Sequence, residues 1–495
     1  MLNIIISYYY NMESFDLVII GGGISGLYCA YHLQKQFPKI LIIEKDDRIG
    51  GRIFTQKIVA NNKHSYIELG ANRFSIHHTK VMKLIDDLKL SNFLIKDIDE
   101  MSSQYISSKS FDYDNNVNIR ELMKIVIDVG KHLKKHKLME ISFAQLCQNI
   151  FDRPNYLLFK KLLIENIKNN RVNYAGGLSK ERFHPSYKGL FCDVEETLRK
   201  INKKDTYRTP YFVDYIHVFE QSAFIGMRMI YTLFFNKKIN LYYRLANGNI
   251  SICDRLYELF LQRGGTIYYN CDFIDFKYSN SNKEFDIIYN NGDRTINIFS
   301  KLLIVTIPTN YLKKIPSFSH LQPYLQHCNS TVLGFIYAVY PKNPKTNKVW
   351  FHDIPWIITD NELSQVWSAD KKNGVLMVSY MFGSKIVDKY ERLFKKSIDK
   401  LYAVLEKNLM ILFPSINIPK PTNLYFKAWK DGGTNAFYAD TDYCDIYKKI
   451  LFPIKNVPVF ICNEAYSYRG GWIEGSLEVA DEVINKIVLD NINDR

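Results

Sequence analysis

The sequence predicts an α/β protein, a Rossmann-like dinucleotide-binding domain interleaved with an α+β domain, and three observations carry that prediction. The apolar run Phe15–Ile20 reads as a buried parallel strand. The Gly-rich turn after it opens a helical pattern with Leu27, Ala30, Leu33 and Phe37 on one face. A second apolar run, Ile40–Ile43, stops at Glu44 and completes a strand–helix–strand unit. A long, mainly helical stretch then precedes further strand-like runs. An insertion of that kind between two parts of a nucleotide domain reads as a substrate-binding domain or lid.

Gly21, Gly23 and Gly26 stand at the three positions of a dinucleotide fingerprint. Gly21 permits the tight turn, Gly23 lets the backbone approach a pyrophosphate, and Gly26 lets helix and strand pack closely. The helix N-terminus, at Ile24 and Ser25, offers free N–H groups and a favourable dipole to the phosphates. Glu44 is placed to accept hydrogen bonds from an adenosine ribose. Its charge would repel a 2′-phosphate, which argues against NADP.

Glu44, Lys45, Arg48, Gly50, Gly51 and Arg52 form an acid-x3-Arg-x-Gly-Gly-Arg run. With it the sequence resembles the flavin-dependent amine oxidase family, closest in motif to the L-amino-acid oxidases. The resemblance implies a glutathione-reductase type FAD-binding domain, in which this second turn folds over the FAD pyrophosphate and flavin edge. Further on, Glu68-Leu-Gly70-Ala71-Asn72-Arg73-Phe74 resembles the segment that passes beside the flavin ring. The resemblance gives Arg73 the substrate carboxylate, and a planar guanidinium suits that role. A structural salt bridge near the flavin is the other reading of Arg73, and the lack of an arginine here in monoamine-oxidase relatives favours the substrate role.

Apolar spacing such as Val81, Leu84, Ile85 and Leu88 makes the stretch from 79 to 239 mainly helical. Tyr243–Asn249 and the helix after it resemble the family's return to the FAD domain, and Asn270–Phe273 match the backbone over the adenine, with Phe273 among the cofactor contacts. A hairpin is expected to turn at Asn291-Gly292, and Lys301–Pro308 resembles a strand re-entering the nucleotide sheet. The expected division is 14–78, 240–310 and 456–490 for the FAD-binding domain, with 79–239 and 311–455 for the substrate-binding domain.

In many family members a lysine on the strand near 332–340 assists reaction with oxygen, and the matching position here is Gly334. Trp429, Phe437 and Tyr438 resemble the tryptophan segment beside the flavin. Phe437 and Tyr438 are candidates for an aromatic substrate cage, with plain core packing as the alternative. This segment has no cysteine, so the FAD is expected to be non-covalent. Finally, Val459–Leu477 carries Glu464 as the family's flavin-side acid, and Gly471, Trp472 and Ile473 open the last helix toward the cofactor. Trp472 matches the aromatic that faces the substrate. Asn463 replaces the usual glycine, and asparagine tolerates positive φ.

The bulk properties set limits. A length of 495 residues suggests more than one core, and 47% hydrophobic content with 35 Tyr and 31 Phe is that of a globular protein. Favoured Ile, Lys, Asn, Tyr and Phe suggest an AT-rich genome. The +14 charge is dispersed without a nucleic-acid motif, so no nucleic-acid partner is expected, and it weakly disfavours polyamine substrates. Eight scattered cysteines lack any zinc spacing, and no metal is expected. The first eleven residues are too short to span a bilayer, and Met12 is a candidate start. No membrane anchor is expected, and a cytoplasmic protein is, or a virion component should the source be a large DNA virus.

Together these features predict hydride transfer from the Cα of an L-amino acid or amine to flavin N5, with O2 as acceptor and hydrogen peroxide as product. A dehydrogenase or desaturase using another acceptor, and a non-catalytic FAD-binding structural protein, are the alternatives. His77 and His78 are expected on a loop and are not assigned as a base.

Overall fold

The computed structural model describes residues 13–76, 78–96, 104–106, 125–126, 128–130, 132–133, 141–160, 242–326, 328–359, 361–437, 443–467 and 471–493. The N-terminal twelve residues, His77, Tyr438 and the greater part of the helical insertion lie outside them.

The central strand Ser14–Ile20 is flanked on one side by Ile40–Ile43 and then Thr266–Tyr268, all parallel. On its other side runs Arg294–Val305, also parallel. Leu17, Val18 and Ile19 have no accessible surface, as expected for strands covered on both faces. The turn expected at Asn291-Gly292 is present, with Gly292 at φ +60° between antiparallel strands Glu284–Asn291 and Arg294–Val305. The hairpin's second strand and the re-entering strand are one twelve-residue element. Its first half pairs with Glu284–Asn291, and Leu303–Val305 pair with Val459–Ile461 along the same edge. That sharing brings the C-terminal motif beside the first glycine turn.

The second sheet has six strands, with Cys328–Val339 between Asn423–Phe437 and Val375–Phe382. Beyond these lie Gln365–Asp370, Ile357–Thr359 and Gln104–Ile106. Its two faces have different tasks. Ile336, Ala338, Leu376 and Val378 pack under helices Ser384–Lys396 and Ile398–Leu412. Leu333, Phe335, Tyr337 and Trp367 form the opposite face, turned toward the first sheet and the hairpin Thr55–Glu68.

This alternation corrects one expectation. A Cβ on Gly334 would stand 2.9 Å from Met381 and 3.0 Å from Val387, inside the helix-covered core. Position 334 therefore points away from the first sheet, and its neighbours Leu333 and Phe335 point toward it. Helix Ile473–Asn493 packs on helix Ile24–Leu33 and closes the arrangement.

Candidate cofactor and substrate site

Between the sheets lies a cavity of about 790 Å³. One wall is main chain. Gly21, at φ +104°, leaves no room for a side chain, since a Cβ there would meet Thr306 Oγ1 at 2.5 Å. A Cβ on Gly26 would stand 2.0 Å from the Gly21 carbonyl oxygen, so strand and helix meet only through glycine. Helix Ile24–Leu33 starts at Gly23 with no side-chain cap and no acid in its first turn, leaving its N–H groups to an anion. The second turn closes on the first. Gly23 and Gly50 form a parallel bridge, the Gly50 N–H donates to Gly22 O at 2.9 Å, and a Cβ on Gly51 would lie 3.3 Å from Gly23 Cα.

Glu44 is buried at the end of its strand and accepts from the Gly22 N–H at 2.6 Å and the Asp46 N–H at 2.8 Å. Burial pushes its carboxyl pKa up, with those two N–H groups acting in the other direction. Arg52 donates to both carboxylate oxygens of Glu464 and to Gly432 O at 3.0 Å, joining the N-terminal and C-terminal motifs beside the cavity.

Most expected cofactor residues line this one space: Gly21, Gly23, Ile24 and Ser25; Glu44, Lys45, Gly51 and Arg52; Gly70, Ala71, Asn72 and Arg73. Phe273, Trp429, Glu464, Gly471, Trp472 and Ile473 line it too. Gly26 and Arg48 do not. Gly26 acts through packing, and Arg48, expected among the cofactor contacts, is turned to the carbonyls of its own loop. Its guanidinium donates to Ile49 O at 3.0 Å and Gly51 O at 2.7 Å, and sits 4.6 Å from the Phe54 ring centroid. It stiffens the second glycine turn from behind.

Asn463 is a second correction. Its φ is −149°, ordinary extended backbone, so it is not chosen for a left-handed conformation. Its side chain donates to Thr306 O and Ile307 O at 3.2 and 3.0 Å and accepts from the Ala465 N–H at 2.9 Å. The amide ties two strand ends together and caps the turn that presents Glu464. His78 lies, as expected, in the loop just before helix Thr79–Asp87. It is buried, accepts from the Ser75 N–H through Nδ1 at 3.2 Å, and meets Trp472 edge-on at 4.6 Å.

Arg73 is 6% exposed in a box of rings. Its Cζ lies 4.7 Å from the Tyr242 centroid, 4.6 Å from Trp356 and 5.6 Å from Trp367. Tyr242 stacks in turn on Trp472 at 5.9 Å and 8°. Trp367, Tyr380, Phe335 and Leu333 complete this apolar wall of the cavity. Trp429 donates its indole N–H to Leu69 O at 2.7 Å. Lys427, opposite Phe335 in register, holds its Nζ 4.6 Å over Trp429. Burial, and then the Arg48 charge, lower its pKa. Phe437 ends the strand opposite Cys328, and Tyr438 lies outside the described residues.

Sequence reasoning missed Tyr242, Trp356, Trp367, Tyr380, Leu333 and Phe335. Each sits in an apolar or aromatic strand context that reads locally as core. Among the described residues no cluster of three or more His, Cys, Asp or Glu suits a metal, and no helix is long and apolar enough to cross a membrane.

Two glycine turns, a buried acid at the end of the second strand and a cavity beside an aromatic wall have the form of a dinucleotide-binding site. Residues 24–484 match the family model for flavin containing amine oxidoreductases. The chain belongs to this family, whose enzymes use FAD. It is 34% identical over 100 residues to flavin-containing amine oxidase A of Equus caballus, a match covering 20% of this chain and 18% of that one. The chain thus matches less than a fifth of the length of that curated relative. Among solved structures, a wild-type putrescine oxidase bound to putrescine superposes with TM-score 0.63 at 18% identity, covering 96% of this chain and 99% of that one. A putative protoporphyrinogen oxidase from Exiguobacterium sp. 255-15 superposes with TM-score 0.60 at 16% identity, covering 97% and 100%. Both likenesses establish the fold.

Proposed function

We propose that the protein oxidises the C–N bond of an L-amino acid or amine with non-covalent FAD, using O2 as terminal acceptor and releasing hydrogen peroxide. The observation that carries the amino-acid reading is Arg73, buried among Tyr242, Trp356 and Trp367 on the cavity that the glycine turns also line. The residues fit FAD, because side chains at Gly23 or Gly51 would fill the cradle between the turns. The bound flavin supplies the hydride acceptor.

The helix N-terminus at Ile24 and Ser25 binds the pyrophosphate, and Glu44 accepts from the ribose hydroxyls. Arg52 and Glu464 hold the two motifs in one orientation. Arg73 takes the substrate carboxylate through parallel hydrogen bonds, which fixes the direction of Cα. Trp367, Tyr380 and Phe335 receive the apolar part of the substrate and keep water from the reacting carbon. An imine leaving this site is hydrolysed by water.

A second reading, a dehydrogenase with another acceptor, is favoured by one observation. Among the described residues of Cys328–Val339, those that line the cavity are Leu333 and Phe335, neither of them an amine.

The test is the absorbance of the FAD-loaded protein, followed anaerobically as L-amino acids and amines are added, then re-aerated with peroxide detection. Bleaching followed by fast recolouring and peroxide is expected. Bleaching with slow recolouring would favour the dehydrogenase, and no bleaching by any compound would overturn the catalytic reading.

A further inference from the structure

Asn249 has no accessible surface and lies in the loop between strand Tyr242–Leu245 and helix Ser251–Gln262. Its side-chain amide donates to Ala71 O and Asn72 O, both at 2.9 Å, the two carbonyls immediately before Arg73. The same amide accepts from the Leu245 N–H at 3.0 Å, at the end of the strand that carries Tyr242. The Asn249 backbone N–H donates to Glu68 Oε1 at 2.8 Å, and Thr55 Oγ1 donates to Glu68 Oε2 at 2.7 Å. From the second sheet the Tyr337 hydroxyl donates to Glu68 O at 2.8 Å and lies 3.1 Å from Asn72 Oδ1. Among the described residues, Asn249, Glu68 and Tyr337 are not part of the cavity lining.

We infer that Asn249 is a positioning residue for Arg73, with Tyr337 as its support, and that this clamp sets the site's preference for ligands bearing a carboxylate. The inference rests on the reading of Arg73 given above. One amide grips both the segment that carries Arg73 and the strand whose Tyr242 stacks on the guanidinium. An asparagine suits this place because it donates twice and accepts from one face. Aspartate has the same shape, but it would turn an acceptor oxygen, in place of Nδ2, onto two carbonyls. Bidentate recognition of a carboxylate depends on guanidinium direction, so a small rotation of the 70–73 segment weakens it while leaving shape-based binding in place.

The probes are benzoate, a planar carboxylate matched to Arg73 and its rings, and benzylamine, which lacks the carboxylate. Binding of each to FAD-loaded protein is read from the flavin spectrum, and FAD affinity from flavin fluorescence on titrating the apoprotein. For Asn249→Asp the expected result is benzoate binding weakened about tenfold or more, with benzylamine and FAD changed less than about threefold. Lowering the pH should restore part of the loss, because a protonated carboxyl regains one donor, whereas Asn249→Ala should show no such recovery. Tyr337→Phe, which removes one hydroxyl and leaves no void, should weaken benzoate about threefold and serves if the aspartate variant does not fold.

Equal loss of benzoate and benzylamine, or unchanged benzoate binding in a folded Asn249→Asp, overturns the inference. Arg73→Met separates the two levels. If it abolishes benzoate binding while Asn249→Asp does not, the positioning role alone fails. If benzoate does not perturb wild type, or binds Arg73→Met equally well, the carboxylate reading fails and the inference with it.

Discussion

The two walls of the cavity are made of different material. The first, from Phe15 to Arg52, is built around main chain: Gly21, Gly23, Gly50 and Gly51 bring peptide groups to the surface, with Glu44 and Arg52 among the side chains beside them. The second, from strands between 328 and 437, is side chain: Leu333, Phe335, Trp367, Tyr380 and Trp429. A main-chain wall reads a feature every dinucleotide shares, so it needs glycines at fixed spacing along one short segment. A side-chain wall shapes a particular substrate, and its residues are gathered by strand pairing from positions up to a hundred residues apart.

The sharpest way to break this comparison lies where the walls join. Arg52→Met leaves Glu464, whose side chain is 3% exposed, without its bidentate partner and should cost about 3–5 kcal/mol in denaturant unfolding. Adding Glu464→Gln should recover part of it, and a loss under about 1 kcal/mol would mean that the walls are fastened elsewhere. Next comes the main-chain wall itself. Gly26→Ala drives a Cβ into the Gly21 carbonyl and should cost about 3 kcal/mol while lowering flavin content per chain. Normal flavin content at unchanged stability would remove the close-approach argument.

Asn463→Gly offers a smaller but directional test. The backbone there needs no glycine, so the change should destabilise by about 1–2 kcal/mol through lost hydrogen bonds. Stabilisation would show that the conformation, and not the amide, is what matters. The smallest effect concerns Lys427 and is read as a pH dependence. Its pKa is lower folded than unfolded, so the unfolded chain binds the proton more tightly and stability rises with pH from the folded pKa to the unfolded one, about 10.4. Wild type should gain on Lys427→Met across that window by less than about 1 kcal/mol, since the side chain is partly exposed. A gain in the opposite direction would contradict the burial of this amine.

The same contrast explains what the sequence reveals. Gly21, Gly23, Gly26 and Glu44 announce the first wall because their spacing lies within one strand–helix–strand unit. Trp472 and Glu464 are visible for a similar reason, as a strand end followed by a helix start. Gly334 shows the limit. Its register near the strand was legible, but which face it presents depends on strand pairing and on a bulge between Thr331 and Leu333. Trp367 and Tyr380 carry no local mark that separates a cavity wall from a core. Asn249 is legible only once its partners 71, 72 and 245 are known to be neighbours in space.

The most direct test of the central claim compares one L-amino acid with its decarboxylated amine, L-phenylalanine and phenethylamine, on wild type and Arg73→Met by anaerobic flavin titration. The account predicts that wild type favours the amino acid and that the variant loses this preference by about tenfold or more while retaining FAD. Equal weakening for both compounds, or no change for either, would contradict the role given to Arg73.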